Sequence, residues 1–164
     1  MIRCIVDDLA FVEADAVVRP ANDRLEPITA AAVRLDQQAG PAFAAACRSA
    51  TALDAGSAVI TRAGELPADF VLHVILQDQD TVTTPAVVRR ALDAAWRRAA
   101  EWGLGQVATA PLGAGPGLFD IEEAVALMVE TLAGAPGAVP ELVIVVERDS
   151  ERELVEAVIR RRDA

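Results

Sequence analysis

The chain has 164 residues, of which 53% are hydrophobic, and it carries a formal net charge of −10. This length is typical of one domain spanning residues 1–164, and the composition predicts a sizeable folded core rather than a disordered chain. The negative charge excludes general binding of extended nucleic acid or of anionic membranes, because both need a positive field.

The amino-terminal segment contains two short apolar runs that favour strands. Residues 1–6 form the first strand, which ends at Asp7 and Asp8, and residues 14–19 form the second. Pro20 is expected to close the second strand because proline has no N–H to donate to a sheet ladder. Each predicted strand is therefore followed by a polar loop.

Two helices and two strands are expected next. An alanine-rich helix is predicted over residues 29–39, with Gly40 as its stop, and a shorter helix over residues 41–49. Residues 57–62 and 70–76 are predicted strands. The second of these is continuous in Val, Leu and Ile, which is typical of a strand buried on both faces.

A long helix is predicted over residues 85–102, because proline is favoured at the first helical position and Gly103 supplies a stop. Its apolar residues recur at helical spacing and face inward. Its arginines fall mostly on the other side, which is typical of a solvated face. These arginines are Arg89, Arg90, Arg97 and Arg98.

A glycine-rich loop follows the next predicted strand, residues 107–110. The loop begins at Pro111 and contains Gly113, Gly115 and Gly117. Glycine lets a backbone approach a ligand closely, and a loop between a strand and a helix start presents N–H groups to an anion. An ordinary turn explains the glycines as well. Neither the dinucleotide fingerprint nor a P-loop is present.

The helix after this loop is expected to start at Asp120, an N-cap residue with Glu123 placed for a capping box. A strand over residues 140–146 and a helix from Ser150 to Arg162, with Ser150 as its cap, complete the chain. Strands that alternate with helices predict an α/β fold, a three-layer α/β/α sandwich around a mixed sheet of about six strands. Ligands of such sheets settle beyond the carboxyl ends of the strands.

Several segments, taken together and in order, resemble the macro domain family, which binds ADP-ribose. The resemblance covers nearly the whole chain and needs no gap from Asp8 to Gly40. The matching segments are residues 8–18 (the family's Gly-Asp-Ile-Thr opening and Asp-Ala-Ile-Val), 19–22 (Asn-Ala-Ala-Asn), 35–40 (Ala-Ala-Gly at a helix end), 57–66 (Gly-Ala-Val-x-Thr-x-Gly-x-Leu), 71–75 (Val-Ile-His-x-Val) and 109–119 (the phosphate loop).

The resemblance implies a ligand site at the carboxyl edge of the sheet. Asp8, next to Leu9, would accept a hydrogen bond from the adenine amine, or else serve as a turn residue at the strand end. Asn22 would touch the distal ribose, or else form an Asx-turn. Phe119 would pack against a ribose, or else belong to the core. The pyrophosphate loop would comprise Gly113, Ala114, Gly115, Pro116, Gly117, Leu118 and Phe119, of which Pro116 offers no N–H.

The departures from the family pattern concern the distal ribose. Arg19 replaces the first asparagine of the Asn-Ala-Ala-Asn motif, and residues 27–30 replace a glycine run. Ala32 stands where hydrolytic members often have an acidic residue. Arg19 would bind a phosphate or carboxylate, or else form a salt bridge with Asp23 or Glu26 and fill the space.

Three functions remain open at this point. The first is a binding module for ADP-ribose or a related adenine diphosphate nucleotide without strong catalysis. The second is an ADP-ribosyl hydrolase or O-acetyl-ADP-ribose deacetylase, and the third is a degenerate domain with a closed or repurposed pocket. No catalytic residue, metal site or cofactor is predicted.

The chain has one histidine, two cysteines and no sequence that predicts export. His73 is predicted to be a buried structural histidine, and Cys4 and Cys47 are predicted to be buried thiols. The longest apolar runs are too short to span a bilayer, and residues 1–15 do not resemble a secretory leader, so we expect a cytoplasmic protein.

Overall fold

Six strands form one mixed sheet in this computed structural model, which describes residues 1–114 and 118–164. The strands are β1 (Ile2–Val6), β2 (Ala16–Asn22), β3 (Ala58–Arg62), β4 (Phe70–Gln77), β5 (Gln106–Thr109) and β6 (Glu141–Val146). They lie in the order β1-β6-β5-β2-β4-β3. All neighbours are parallel except β3 and β4, which are antiparallel.

Helices cover both faces of this sheet, which confirms the predicted three-layer sandwich. The helices are α1 (Ala30–Ala39), α2 (Pro41–Arg48), α3 (Pro85–Glu101), α4 (Ile121–Ala133) and α5 (Asp149–Asp163), with a 3-10 turn at Leu9–Phe11. The helices α3, α4 and α5 lie on one face, and α1, α2 and the 3-10 turn lie on the other. In the described ranges, no helix is both long and apolar enough to cross a membrane.

The two cores follow from the alternation of side chains along the central strands. Val17 and Val71 belong to the core beneath α1 and α2, whereas their neighbours Val18 and Leu72 belong to the core beneath α3 and α4. Successive residues of a strand point to opposite faces, so an unbroken apolar run is what a doubly covered strand requires. The largest buried side chain, Trp96, lies in the second core.

Most helix ends form at the residues that the sequence indicates. The side chains of Thr29, Thr84 and Asp120 each accept a hydrogen bond from a backbone N–H in the first turn of the following helix. Gly40 ends α1 with a φ of 87°, a conformation that glycine adopts without strain.

Two local predictions are wrong. Ser150 does not cap the last helix, because that helix already begins at Asp149, whose negative charge suits the positive end of the helix dipole. Pro20 does not end β2, which continues to Asn22. Beyond Val17 the strand no longer pairs with β5, so one side of β2 needs no hydrogen-bond donors where Pro20 lies.

Candidate functional site

The sheet opens between β2 and β5. β2 pairs with β5 only at Ala16 and Val17, whereas it pairs with β4 along its whole length to Asn22. The two parallel strands therefore separate towards their carboxyl ends. A cavity of 510 Å³ lies in this gap, and its volume is in the range of small-molecule sites, about 300–1,000 Å³.

Three loop segments form much of the wall of the cavity, and residues of β2, β4 and β5 complete it. Leu9 comes from the turn after β1, and residues 110–114 and Leu118 come from the loop after β5. The third wall is the segment between β2 and α1, with the first turns of α1. Its lining residues are Asn22, Glu26, Pro27, Ile28, Thr29, Ala31, Ala32 and Leu35.

The structure brings together half of the predicted ligand-binding residues. Of the ten, five line the cavity, namely Leu9, Asn22, Gly113, Ala114 and Leu118. Gly115, Pro116 and Gly117 lie outside the described residues. Asp8 and Phe119 stand immediately beside lining residues without lining the cavity themselves.

Asp8 is the N-cap of the 3-10 turn. Its Oδ1 accepts a hydrogen bond from the backbone N–H of Ala10 at 3.0 Å. This bond holds the turn so that the next residue, Leu9, reaches the cavity wall. Asp8 is thus a turn residue at the end of β1, as one of the two sequence-based alternatives has it, and its contact with adenine stays a prediction.

Asn22 forms an Asx-turn at the end of β2. Its Oδ1 accepts from the backbone N–H groups of Arg24 and Glu26, both at 2.9 Å. Its Nδ2 donates to Oε1 of Glu26 at 3.3 Å. Both ends of the amide are therefore used within the turn. The contact of Asn22 with a distal ribose stays a prediction.

Gly113 leaves no room for a side chain in the described part of the glycine-rich loop. Its φ is 82°, and a Cβ added there would lie 2.8 Å from Cδ2 of Phe119 and 3.4 Å from Val88. Phe119 packs against the core beneath α3 and α4, and its backbone forms a bridge with Ala114. The alternative that places Phe119 against the core therefore fits the structure. The aromatic ring supports the loop from the side of the core.

Arg19 is buried, with only 1% of its side chain exposed. Nε and Nη2 donate to the two carboxylate oxygens of Asp36, each at 2.7 Å, and Nη2 also donates to the carbonyl oxygen of Leu25 at 2.8 Å. The predicted partners, Asp23 and Glu26, are wrong. Arg19 points towards the face that α1 covers, where Asp36 lies, whereas the loop carboxylates lie beyond the strand end.

The alternative role of Arg19, as a ligand for an incoming phosphate or carboxylate, is also wrong. A carboxylate of the protein already occupies the fork of the guanidinium, and the ring of Phe43 lies 5.6 Å from its central carbon. Arg19 is the one cation among the described residues around the cavity. Any anion held there must therefore be bound by neutral donors, such as backbone N–H groups, rather than by a free side-chain cation.

His73 is fully buried beside this ion pair, which confirms the prediction of a structural histidine. Nη1 of Arg19 lies 3.2 Å from Nδ1, and Oγ1 of Thr61 lies 2.8 Å from Nε2. Because arginine can only donate, Nδ1 accepts and the proton sits on Nε2. Burial, followed by the charge of Arg19, lowers the pKa of His73 from 6.5 to about 3.

The two cysteines are free and differ in burial. Cys47 is buried as predicted, but Cys4 is only partly buried. Burial raises the pKa of the Cys4 thiol to about 11, so it is not a reactive thiolate. Within residues 1–114 and 118–164, no group of three His, Cys, Asp or Glu side chains is arranged to hold a metal ion.

Sequence reasoning missed the contribution of β4 to the site. Leu76 and Gln77 at the end of β4 line the cavity, because β4 lies beside β2 in the sheet, and Thr83 in the following loop lines it as well. The sequence analysis also interpreted residues 27–30 only as a departure from a family pattern. In the structure, Pro27 forms a bridge with Ala21, and Ile28 packs against the core while lining the cavity. Gln77 could have been predicted as a site residue, because it is a polar residue at the end of a buried strand.

Comparisons with known proteins identify the fold. Residues 18–128 match the macro domain family. An uncharacterized protein of Aeropyrum pernix is 33% identical over 88% of this chain and 77% of that protein, and one of Mycobacterium tuberculosis is 29% identical over 93% of this chain. This chain spans 43% of the mycobacterial protein's length.

A solved structure agrees with the sequence comparisons. The macrodomain of Trypanosoma brucei in complex with ADP-ribose superimposes with a TM-score of 0.80 at 20% identity, covering 96% of this chain and 68% of the other. The chain belongs to the macro domain family.

The buried neutral His73 predicts a specific loss of stability in mild acid. In the unfolded chain the imidazole binds a proton below about pH 6.5, whereas in the folded protein it stays neutral down to about pH 3. The free energy of unfolding should therefore fall as the pH drops through this window, by about 2 kcal/mol between pH 7 and pH 5. Urea denaturation at several pH values measures it.

The control is His73→Asn, whose side-chain oxygen can still accept from Arg19 but which cannot titrate. This variant should lack the His73 part of the pH dependence, whatever its absolute stability. Identical pH profiles for the two proteins would contradict the assignment.

Proposed function

We propose that this macro domain binds ADP-ribose or a related adenine diphosphate nucleotide in the cavity between β2 and β5, without strong catalysis. The proposal rests on one observation, namely that two predicted ligand-binding segments meet at the same cavity. Leu9, which follows Asp8, and Gly113, the first glycine of the glycine-rich loop, line one open cavity of 510 Å³. The likeness of this chain to a macrodomain solved with ADP-ribose supports the same class of ligand. The open cavity argues against a closed pocket.

The order of the strands supports one orientation of the ligand. The loops after β1, β5 and β2 follow one another along the carboxyl edge of the sheet, with β6 between the first two. A purine recognised by Asp8 therefore lies at the β1 end. The diphosphate lies over the loop after β5, and a sugar beyond it lies over the segment between β2 and α1.

The charges around the cavity support recognition of the diphosphate by the backbone. Arg19 is already paired with Asp36, and the chain carries a net charge of −10. N–H groups at a glycine-rich turn before a helix provide a local positive potential without a side-chain cation. We infer that the loop from Gly113 to Phe119 binds the diphosphate in this way.

The distal end of the cavity supports binding rather than hydrolysis. The side-chain amide of Asn22 is hydrogen-bonded within its own turn, and Ala32 has no acidic group. Glu26, the one carboxylate among the described lining residues, lies exposed at the rim. Activation of a water needs a positioned base within reach of the reacting atom, and the described residues supply no buried one. The single-domain organisation and the cytoplasmic location stay predictions.

Asp8→Asn should weaken the binding of ADP by about ten- to a hundredfold, because a hydrogen bond to a charged acceptor contributes about 1.5–3 kcal/mol. The oxygen of Asn preserves the cap on Ala10, so the turn stays formed. Calorimetry with ADP and with inosine diphosphate measures the effect. Inosine diphosphate carries a carbonyl in place of the amine, so Asp8→Asn should shift preference towards it. An unchanged ratio of the two affinities would exclude the adenine contact.

Gly113→Ala should reduce affinity for both ADP and ADP-ribose by about tenfold or more, because the new Cβ strains a left-handed residue and collides with Phe119. The matched control is Gly134→Ala at the end of α4. Its φ is −89°, and the nearest atom to an added Cβ is 3.7 Å away. Equal affinities for the two variants, measured by calorimetry, would contradict the diphosphate site.

Hydrolysis should be absent or very slow. Release of ADP-ribose from an ADP-ribosylated protein is expected at the same background rate for the wild type, Asn22→Ala and Glu26→Gln. Chromatography of the released product measures the rate. A wild-type rate well above background that falls in either variant would replace the binding module with the hydrolase alternative.

A further inference from the structure

Arg19 joins three segments that surround the cavity. It lies on β2, its Nε and Nη2 bind the carboxylate of Asp36 on α1, and its Nη2 also binds the carbonyl oxygen of Leu25 in the segment between them. Nη1 contacts His73 on β4. One buried side chain therefore spans the strand, the following segment and the helix that succeeds it.

The segment that Arg19 binds has a strained conformation. Leu25 has a φ of 58°, which makes it the one non-glycine residue with a positive φ among the described residues. A residue with a side chain adopts this conformation at a cost, so it persists only where surrounding contacts determine it. The hydrogen bond from Arg19 to the Leu25 carbonyl is such a contact. The next residues, 26–32, then form the cavity wall.

We propose that Arg19 and Asp36 are positioning residues of the nucleotide site, which hold the wall formed by residues 26–32 in the shape that fits the sugar beyond the diphosphate. This inference rests on the proposed function and adds a specific role to two residues whose charged groups are bonded to each other within the protein. The guanidinium fixes Leu25 at the start of the wall. The carboxylate fixes α1, whose first turns complete it.

Lysine cannot replace arginine in this role. The planar guanidinium donates in parallel to both oxygens of Asp36 while it also reaches the Leu25 carbonyl. An ammonium is a point charge and cannot present this fork. A substitution that keeps the charge but removes the fork therefore separates positioning from simple charge compensation.

The effect should depend on which ligand is bound. ADP ends at its second phosphate and so does not reach the wall between β2 and α1. ADP-ribose carries its second sugar past the diphosphate to that wall. Loosening of residues 26–32 should therefore weaken ADP-ribose and leave ADP almost unchanged, whereas general destabilisation of the fold would affect both ligands alike.

The experiment compares the wild type, Asp36→Asn and Arg19→Lys by calorimetry with ADP and ADP-ribose. Asp93→Asn on the exposed side of α3 is the matched control. Asp36→Asn and Arg19→Lys should lose about tenfold or more in affinity for ADP-ribose and less than about twofold for ADP. Amide hydrogen exchange in the absence of ligand should become faster over residues 23–32 in both variants and remain unchanged in Asp93→Asn.

Asp36 is a quarter exposed, so Asp36→Asn remains a valid test if Arg19→Lys fails to fold. Equal losses for the two ligands, no loss for either, or unchanged exchange over residues 23–32 would overturn the inference and leave the proposed function intact. If the wild type binds neither nucleotide, the proposed function fails, and the inference fails with it.

Discussion

The site depends on the early separation of β2 from β5. Two parallel strands in the middle of a sheet would normally pair along their whole length, yet these two pair over only two residues of β2. Past Val17, β2 follows β4 alone. The gap that results is a cavity at the carboxyl edge, bordered by loops from both strands. The same separation explains why Pro20 is tolerated, because no partner on the β5 side requires a donor there.

Three polar side chains near this cavity, Arg19, Asp36 and His73, are bonded to one another. Arg19 and Asp36 are bonded to each other, and His73 stays uncharged because it is buried and lies beside the positive charge of Arg19. A largely buried pair of this kind contributes little net stability, although removal of one partner is costly. What it contributes is a fixed geometry for β2, α1 and the segment between them.

Much of the fold could be predicted because its signals are local. Thr29 and Asp120 mark helix starts by accepting bonds from N–H groups in the next turn, and Gly40 marks a helix end through its own positive φ. The order of the strands, the length of β2 and the partner of Arg19 could not be predicted, since each depends on residues far apart in the sequence. Asp36 lies 17 positions from Arg19, and it becomes a neighbour only after α1 folds back onto the sheet.

The predicted site residues fall into two groups, those that line the cavity and those that support its lining. Leu9 and Gly113 line the cavity. Asp8 caps the turn that carries Leu9, and the ring of Phe119 packs beside Gly113. Because the chain is acidic and its cavity cation is paired internally, the proposed binding of a diphosphate relies on oriented backbone dipoles, and such dipoles are most effective in a fixed loop. The residues that fix the loops are therefore as important to the proposed recognition as the residues that line the cavity.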